Sequence, residues 1–473
     1  MKDAQLFLQG SWTDGESTVP LRDKHHGGQV AQVHEASREQ VAAALDGVAH
    51  AQQKHVLAPY QRFQVLSEAS RLVEQRAEEF VQTIIDDTGF TLADARREVQ
   101  RAAQTLLLSG EEAKRISGEV VPLDGAPGMS GRHAFTLRRP LGVVCAITPF
   151  NSPLNTVAHK VAPALAAGNG VVLKPASYTP LSAGKLVGLL LDAGLPEQLI
   201  AVVHGRGSTV GQQLLESPVP AFYAFTGSTE VGEHLHRAVG LRRTQLELGS
   251  LSSTIVCDDA NLDKVIPLCV GAAFRKAGQV CTSVQRLYVH TAVLDDFLAA
   301  LKRDLDSRTA GDPRVEGTFV GPVISESDAD RISSWIESAT KRGAEVVSGG
   351  GRDGQVIEPT VLSGVSRDMD VFCQEVFGPV VNVRPFTDLD EAIADANDTP
   401  YGLAAGIFTA DVGRMLTAAE QLRMGSVHVN ETSSSRVDLM PYGGVKQSGM
   451  GVEGPRYAIE EMTEQRLVTI GPP

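Results

Sequence analysis

The chain has 473 residues, 42% of them hydrophobic, and its 43 basic and 57 acidic side chains leave a net charge of −14. That length exceeds what one hydrophobic core usually supports, so two or more domains are expected. The acidic balance argues against a nucleic-acid surface, no apolar run is long enough to span a bilayer, and five widely spaced cysteines without a CxxC pair suggest neither a disulfide framework nor a zinc knuckle.

Residues 5–35 read as short extended pieces broken by turns such as Trp12-Thr13-Asp14-Gly15. Ser37 and Gln40 then form a capping box ahead of Val41, Leu45 and Val48 at helical spacing. A longer helix is expected from about Pro59, with Phe63, Leu66, Leu72, Val73, Phe80 and Ile84 along one side and Gly89 near its end. A third begins near Thr91, and Arg97 and Arg101 share one of its faces. Residues 117–140 are rich in Gly and Pro and then alternate through Ala134–Arg138, as a half-exposed strand outside a main sheet would.

From Gly142 the rhythm becomes buried strand, helix, buried strand. Gly142–Thr148, Gly170–Leu173, Leu199–Val203, Ala221–Phe225 and Thr254–Val256 are short apolar runs separated by helical segments, the form of a parallel sheet covered on both faces. A second series includes Val284–His290, Pro379–Pro385 and Gly406–Thr409, and Glu461–Ile470 reads as a terminal strand.

The chemistry centres on Gly278-Gln279-Val280-Cys281-Thr282-Ser283. Small and polar neighbours suit a thiolate that a substrate must reach better than a thiol packed in a core, although most isolated cysteines are inert and buried. Glu247, between Leu246 and Leu248 in a strand-like run, is a carboxylate whose partial desolvation raises its pKa toward that of a useful general base. Asn151 follows a buried strand in a turn broken by Pro149 and Pro153, where its amide can donate to an oxyanion together with the backbone N–H of Cys281. Phe225-Thr226-Gly227-Ser228 leads from a strand to a helix start at which a pyrophosphate can sit. The glycine turn His204–Gly207 and the strand end Lys174-Pro175-Ala176-Ser177 are further candidates for the adenosine end, and Glu375 and Phe377 for the nicotinamide end.

Together Thr148-Pro149-Phe150-Asn151, Leu246-Glu247-Leu248-Gly249, the Cys281 loop, Glu375-Val376-Phe377-Gly378-Pro379 and Pro441–Gly449 resemble the aldehyde dehydrogenase superfamily over nearly the whole chain. The resemblance implies an α/β fold of two Rossmann-like parallel-sheet domains with a β-rich oligomerisation arm. Residues 1–116 and 141–249 would form the NAD(P)-binding domain, 250–440 the catalytic domain, and 117–140 with 441–473 the arm and C-terminal segment. Cys281 is similar to the catalytic thiol, Glu247 to the base and Asn151 to the oxyanion amide. Thr148, Pro149, Phe150, Lys174, Ser177, Gly207, Gly211, Phe225, Gly227, Ser228, Val231, Leu248, Gly249, Glu375 and Phe377 look like contacts for NAD or NADP.

Asn151–Lys160 and Arg436–Pro441 look most like the branch acting on lactaldehyde, phosphonoacetaldehyde and glyceraldehyde 3-phosphate, the last without phosphorylation. Arg101, Asn151, Val280, Thr282 and Arg436 would then meet the aldehyde, with both arginines facing the tunnel to Cys281. Val280 stands where several phosphate-specific relatives carry Arg, which favours a singly charged or hydroxylated substrate. Ser177 replaces a glutamate common among NAD-preferring relatives, so NADP should be tolerated. CoA-acylating relatives typically lack the base, so Glu247 argues against that reaction, and a non-catalytic binding protein would not need all three reactive groups. The expected setting is cytoplasmic and reducing, with no metal, no membrane, no nucleic acid, and a homodimer or homotetramer built through the arm.

Overall fold

The computed structural model describes residues 2–472. The first half of the chain is organised by a sheet with the spatial order Gly449–Met450, Arg243–Glu247, Pro220–Thr226, Val143–Ile147, Gly170–Lys174, Ile200–Val202, Leu6–Leu8 and Ser11–Thr13. The five strands from Arg243–Glu247 to Ile200–Val202 run parallel, and the outer ones are antiparallel additions. Val143–Ile147 lies in the middle of these five. The chain moves outward from it to Ile200–Val202, then returns to its other side with Pro220–Thr226. That reversal leaves a crevice at the carboxyl ends of Val143–Ile147 and Pro220–Thr226, where doubly wound sheets hold dinucleotides.

Local signals set the helices. Ser37 Oγ accepts from the Gln40 backbone N–H while the Gln40 side chain accepts from the Ser37 N–H, which caps Arg38–Lys54 as expected. The single helix expected from Pro59 is two, Pro59–Gln75 and Ala77–Thr88, divided at Arg76 with φ −104° and ψ 24°. Gly89 ends the second in the left-handed conformation, and Thr91 caps Leu92–Ala113.

A seven-stranded sheet organises the second half: Glu345–Ser348, Thr360–Ser363, Val380–Phe386, Arg286–His290, Ser253–Val256, Ala404–Phe408 and Ser426–Val429. All neighbours are parallel except Glu345–Ser348. Ser253–Val256, which the sequence rhythm groups with the first series, lies inside this second sheet beside Arg286–His290 and Ala404–Phe408. A short apolar run does not encode which sheet it joins. The five residues 248–252 are the crossing between sheets, so the carboxyl end of Arg243–Glu247 lies close to the amino ends of the second sheet's strands.

Val120–Val121, His133–Pro140 and Thr463–Ile470 form a separate three-stranded sheet, with Thr463 opposite Pro140 and Ile470 opposite His133. The residues after 440 divide between two places. Gly449–Met450 pairs with Leu246 and Glu247, the helix Pro455–Glu461 packs on Asn155–Ala167, and only Thr463–Ile470 joins the separate sheet. No helix among the described residues is long and apolar enough to cross a membrane.

Candidate active site

A cavity of about 340 Å³ lies where the two sheets meet, lined from the first by Pro149, Thr226 and Glu247 and from the loops entering the second by Cys281, Glu375 and Phe377. Cys281 is half-buried, whereas Cys145, Cys257 and Cys269 are buried, and of the five free thiols only Cys281 lines this cavity. Its Sγ is 2.9 Å from Tyr442 Oη. Burial pushes the Cys281 thiol up to about 11; the Tyr442 hydrogen bond and Arg436 oppose the rise, and Glu247 and Glu375 add to it. The resting thiol is therefore neutral and needs a base or an added positive charge before it can attack.

Glu247 ends its strand, 2% exposed, and neither carboxylate oxygen has a hydrogen-bond partner. Burial, reinforced by the charge of Glu453, raises its pKa well above the ordinary carboxylate value. Glu453 shares the cavity wall but is held low: although burial opposes its charge, Lys160 Nζ donates to it at 2.9 Å and Arg436 Nη2 at 3.0 Å. Of these two buried acids one is ion-paired and charged, and the other is free to take up a proton. Asn151 Nδ2 donates to the Gln279 carbonyl at 2.8 Å, which ties this amide to the Cys281 loop and leaves its second hydrogen uncommitted.

Of the residues expected at the cofactor, Pro149, Phe150, Gly227, Ser228, Leu248, Gly249, Glu375 and Phe377 line the same cavity. Gly227 is needed as glycine, because a Cβ there would lie 2.5 Å from the Phe225 ring. Phe377 has φ 48°, and its ring stands edge-on to Phe150 with centroids 5.7 Å apart. Glu375 accepts from the Ser250 N–H at 3.0 Å, and burial pushes its carboxyl up to about 7. Thr148, Lys174, Ser177, Gly207, Gly211, Phe225 and Val231 do not line it. Lys174, Ser177 and Gly211 instead gather farther along the sheet: Ser177 Oγ donates to the Gly205 carbonyl at 3.3 Å, and the Lys174 Cε is 3.9 Å from where a Gly211 Cβ would stand. Burial brings the Lys174 ammonium down to about 8. The buried hydroxyls of Thr148 and Thr226 have no protein partner. These free hydroxyls, the Gly227 turn and the Ser228-capped start of Thr229–Val239 fit a nicotinamide dinucleotide laid across the crevice.

Val280, Thr282, Arg101 and Arg436, expected to meet the aldehyde, also line this cavity. Each arginine already holds an acid: Arg101 grips Asp438 through Nη2 at 2.7 Å and Nε at 3.2 Å, and Arg436 pairs with Glu453 and stacks 3.6 Å from the Tyr442 ring centroid. Sequence reasoning missed Arg275, Ser434 and Tyr442. Arg275 Nη2 donates to Ser434 Oγ at 2.7 Å, and Ser434 meets Thr282 Oγ1 at 3.1 Å. Burial brings the Arg275 guanidinium down to about 10, helped by repulsion from Arg101 and Arg97, and it makes no ion pair among the described residues. An arginine six positions before the thiol, capping a helix that is uncharged from Val265 to Phe274, was the available signal. His25, His26 and Asp312 bring metal-ligand atoms within 4.8 Å of one another, but none of the three lines this cavity.

Residues 12–468 match the aldehyde dehydrogenase family. The chain belongs to that family. It is 45% identical over 470 residues to a 3-sulfolactaldehyde dehydrogenase of Priestia megaterium, covering 99% of this chain and 98% of the relative. A sulfoacetaldehyde dehydrogenase of Neptuniibacter caesariensis is 36% identical over 87% of this chain and 90% of its own length. The NADP-dependent glyceraldehyde-3-phosphate dehydrogenase of Bacillus halodurans, solved with NADP, superposes with a TM-score of 0.97 at 35% identity, covering 100% of both chains. This aldehyde dehydrogenase thus has the two-sheet fold of its family, and its reaction is the NAD(P)-dependent oxidation of an aldehyde.

Proposed function

We propose that this aldehyde dehydrogenase oxidises a short aldehyde bearing a terminal anion, a sulfonate foremost, to the carboxylic acid. The observation that carries the charge preference is Arg275, a half-buried guanidinium on the cavity wall that makes no ion pair among the described residues. Arg101 and Arg436 face the same space, each with a carboxylate at hand, and Arg97 adds a fourth positive charge. Guanidinium groups bind a sulfonate or carboxylate through charge-assisted hydrogen bonds, and the Ser434 and Thr282 hydroxyls beside Arg275 supply further donors. The 45% identical relative named for 3-sulfolactaldehyde supports the same substrate class.

In the reaction, the Cys281 thiol gives up its proton to water, its Sγ adds to the aldehyde carbon, and the carbonyl oxygen takes up negative charge between Asn151 Nδ2 and the Cys281 backbone N–H. The nicotinamide cofactor, when bound, accepts the hydride that leaves this thiohemiacetal. The thioester left on Cys281 is then hydrolysed by a water that Glu247 deprotonates, a task suited to two carboxylate oxygens without protein partners. Glu375 would hold the nicotinamide ribose, and Lys174 with the exposed Ser177 the adenosine ribose, so that both NAD and NADP are accepted.

The three-stranded arm exposes Val120, Leu467 and Ile470 at 82%, 56% and 53%. Such a small sheet with bare apolar residues supports a homodimer or dimer of dimers formed through it. The five free cysteines fit a reducing, cytoplasmic setting.

The deciding experiment supplies 3-sulfolactaldehyde, succinate semialdehyde, lactaldehyde and propanal with each cofactor in turn. The anionic aldehydes should exceed propanal in kcat/KM at least tenfold. Equal values across the four substrates would refute the charge preference while leaving the dehydrogenase chemistry intact.

A further inference from the structure

The backbone just before the nucleophile is left-handed at three successive residues, Lys276, Ala277 and Gly278, with φ 53°, 54° and 70°. Gly278 could be nothing else, because a Cβ there would stand 2.1 Å from the Gly378 carbonyl oxygen. Lys276 and Ala277 carry side chains and are unfavourable in this conformation, so their surroundings must hold them there. Lys276 supplies most of that hold. Its backbone N–H donates to Asp94 Oδ2 at 2.8 Å, and its Nζ donates to Glu98 Oε2 at 2.6 Å and to the Asn151 carbonyl at 2.9 Å. Its own carbonyl accepts from the Gln279 N–H and Nε2, both at 3.1 Å.

Glu98 extends the connection. Its Oε1 accepts from Ser152 Oγ at 2.6 Å and from the Asn155 N–H at 2.8 Å, where the helix Asn155–Ala167 begins. The carboxylate is 1% exposed and the lysine side chain 7%, so both charges depend on each other. Asn151 Nδ2 donating to the Gln279 carbonyl closes a ring that runs from Asn151 through Gln279 and Lys276 back to Asn151.

We propose that Lys276 is a positioning residue, which sets the distance between the Asn151 amide and the Cys281 thiol by holding the left-handed loop against the Glu98 carboxylate. This rests on the reading of Cys281 as nucleophile and Asn151 as oxyanion donor. Lys276 acts before hydride leaves, and its loss slows formation of the thioester without weakening aldehyde binding.

The test is the pre-steady-state burst of NAD(P)H from the full-length enzyme, with an anionic aldehyde and propanal as substrates. Lys276→Met strands the buried Glu98 charge, so it is paired with Lys276→Met/Glu98→Gln, which removes both charges, and with Lys276→Arg, which keeps the cation. The burst rate constant should fall 10- to 100-fold in the first two, since a misplacement of about 1 Å can cost about that much. Aldehyde KM should stay within about threefold, and Lys276→Arg should recover part of the rate. A double variant with the parent melting temperature and the parent burst rate overturns the proposal. So does a KM rise as large as the burst loss, which would make Lys276 a ligand of the substrate. Cys281→Ser separates the two layers: a burst that persists there sinks the underlying reading, whereas its absence, beside a normal double variant, sinks only the role of Lys276.

Discussion

Tyr442 Oη stands 2.9 Å from Cys281 Sγ, and the Arg436 guanidinium lies over the face of the same ring. The hydroxyl stabilises the thiolate by donating to it, in opposition to the burial that pushes the thiol up to about 11. Tyr442→Phe should therefore raise the thiol pKa further. Inactivation by iodoacetamide, followed from pH 7 to 11, should slow and move its midpoint upward. An unchanged profile would mean that the contact does not tune the nucleophile.

Glu247→Gln should keep the burst of NAD(P)H and lower steady-state turnover at least about 100-fold, the usual scale for losing a general base. The variant also carries a stability signature. Folding raises the Glu247 pKa, so its contribution to stability is full at acid pH and is lost as pH rises through the raised folded value. Glutamine cannot ionise and avoids that loss. Its melting temperature should exceed the parent's at alkaline pH, and the gap should close toward pH 4. A constant gap across that range would deny the unpaired carboxyl its raised pKa.

Arg275→Leu should lower kcat/KM for 3-sulfolactaldehyde at least tenfold, which corresponds to about 1.4 kcal/mol, and change propanal by less than threefold. Arg436→Leu should damage both substrates, because its charge also favours the ionised forms of Cys281 and Glu247. Parallel losses in Arg275→Leu would mark that arginine as structural.

Ser177→Glu should depress NADP use much more than NAD use. A carboxylate placed beside Gly205 would face a 2′-phosphate, and two unit charges about 4 Å apart near a protein surface interact by about 4 kcal/mol. The ratio of kcat/KM values for the two cofactors is the measurement, and an unaltered ratio would place the adenosine ribose elsewhere.

What could be read from the sequence was local. The Ser37–Gln40 box is visible because both partners lie within one helical turn. Cys281, Glu247 and Asn151 stand out because their immediate neighbours do not suit ordinary packing or surface roles. The break at Arg76 was hidden because the apolar stripe continues across it from Leu72 and Val73 to Phe80 and Ile84. The partners of the arginines were hidden for a different reason. Arg275 meets Ser434, 159 positions away, and Arg101 meets Asp438, 337 positions away, so whether each cation is committed depends on how two sheets pack. The placement of Ser253–Val256 has the same origin, since strand character is local and sheet membership is not.

Cys281 and Tyr442 are separated by 161 residues, and Glu453 comes later still. At synthesis rates of about 5–20 residues per second, a nascent chain carries the Cys281 thiol for roughly 8–30 seconds before the tyrosine that meets it has been made. Through that interval no finished cavity suppresses its ionisation, and the sulfur has the reactivity of an ordinary thiol. Completing the cavity thus does two things at once: it brings the tyrosine to the sulfur, and it withdraws the thiol from indiscriminate alkylation by raising its pKa.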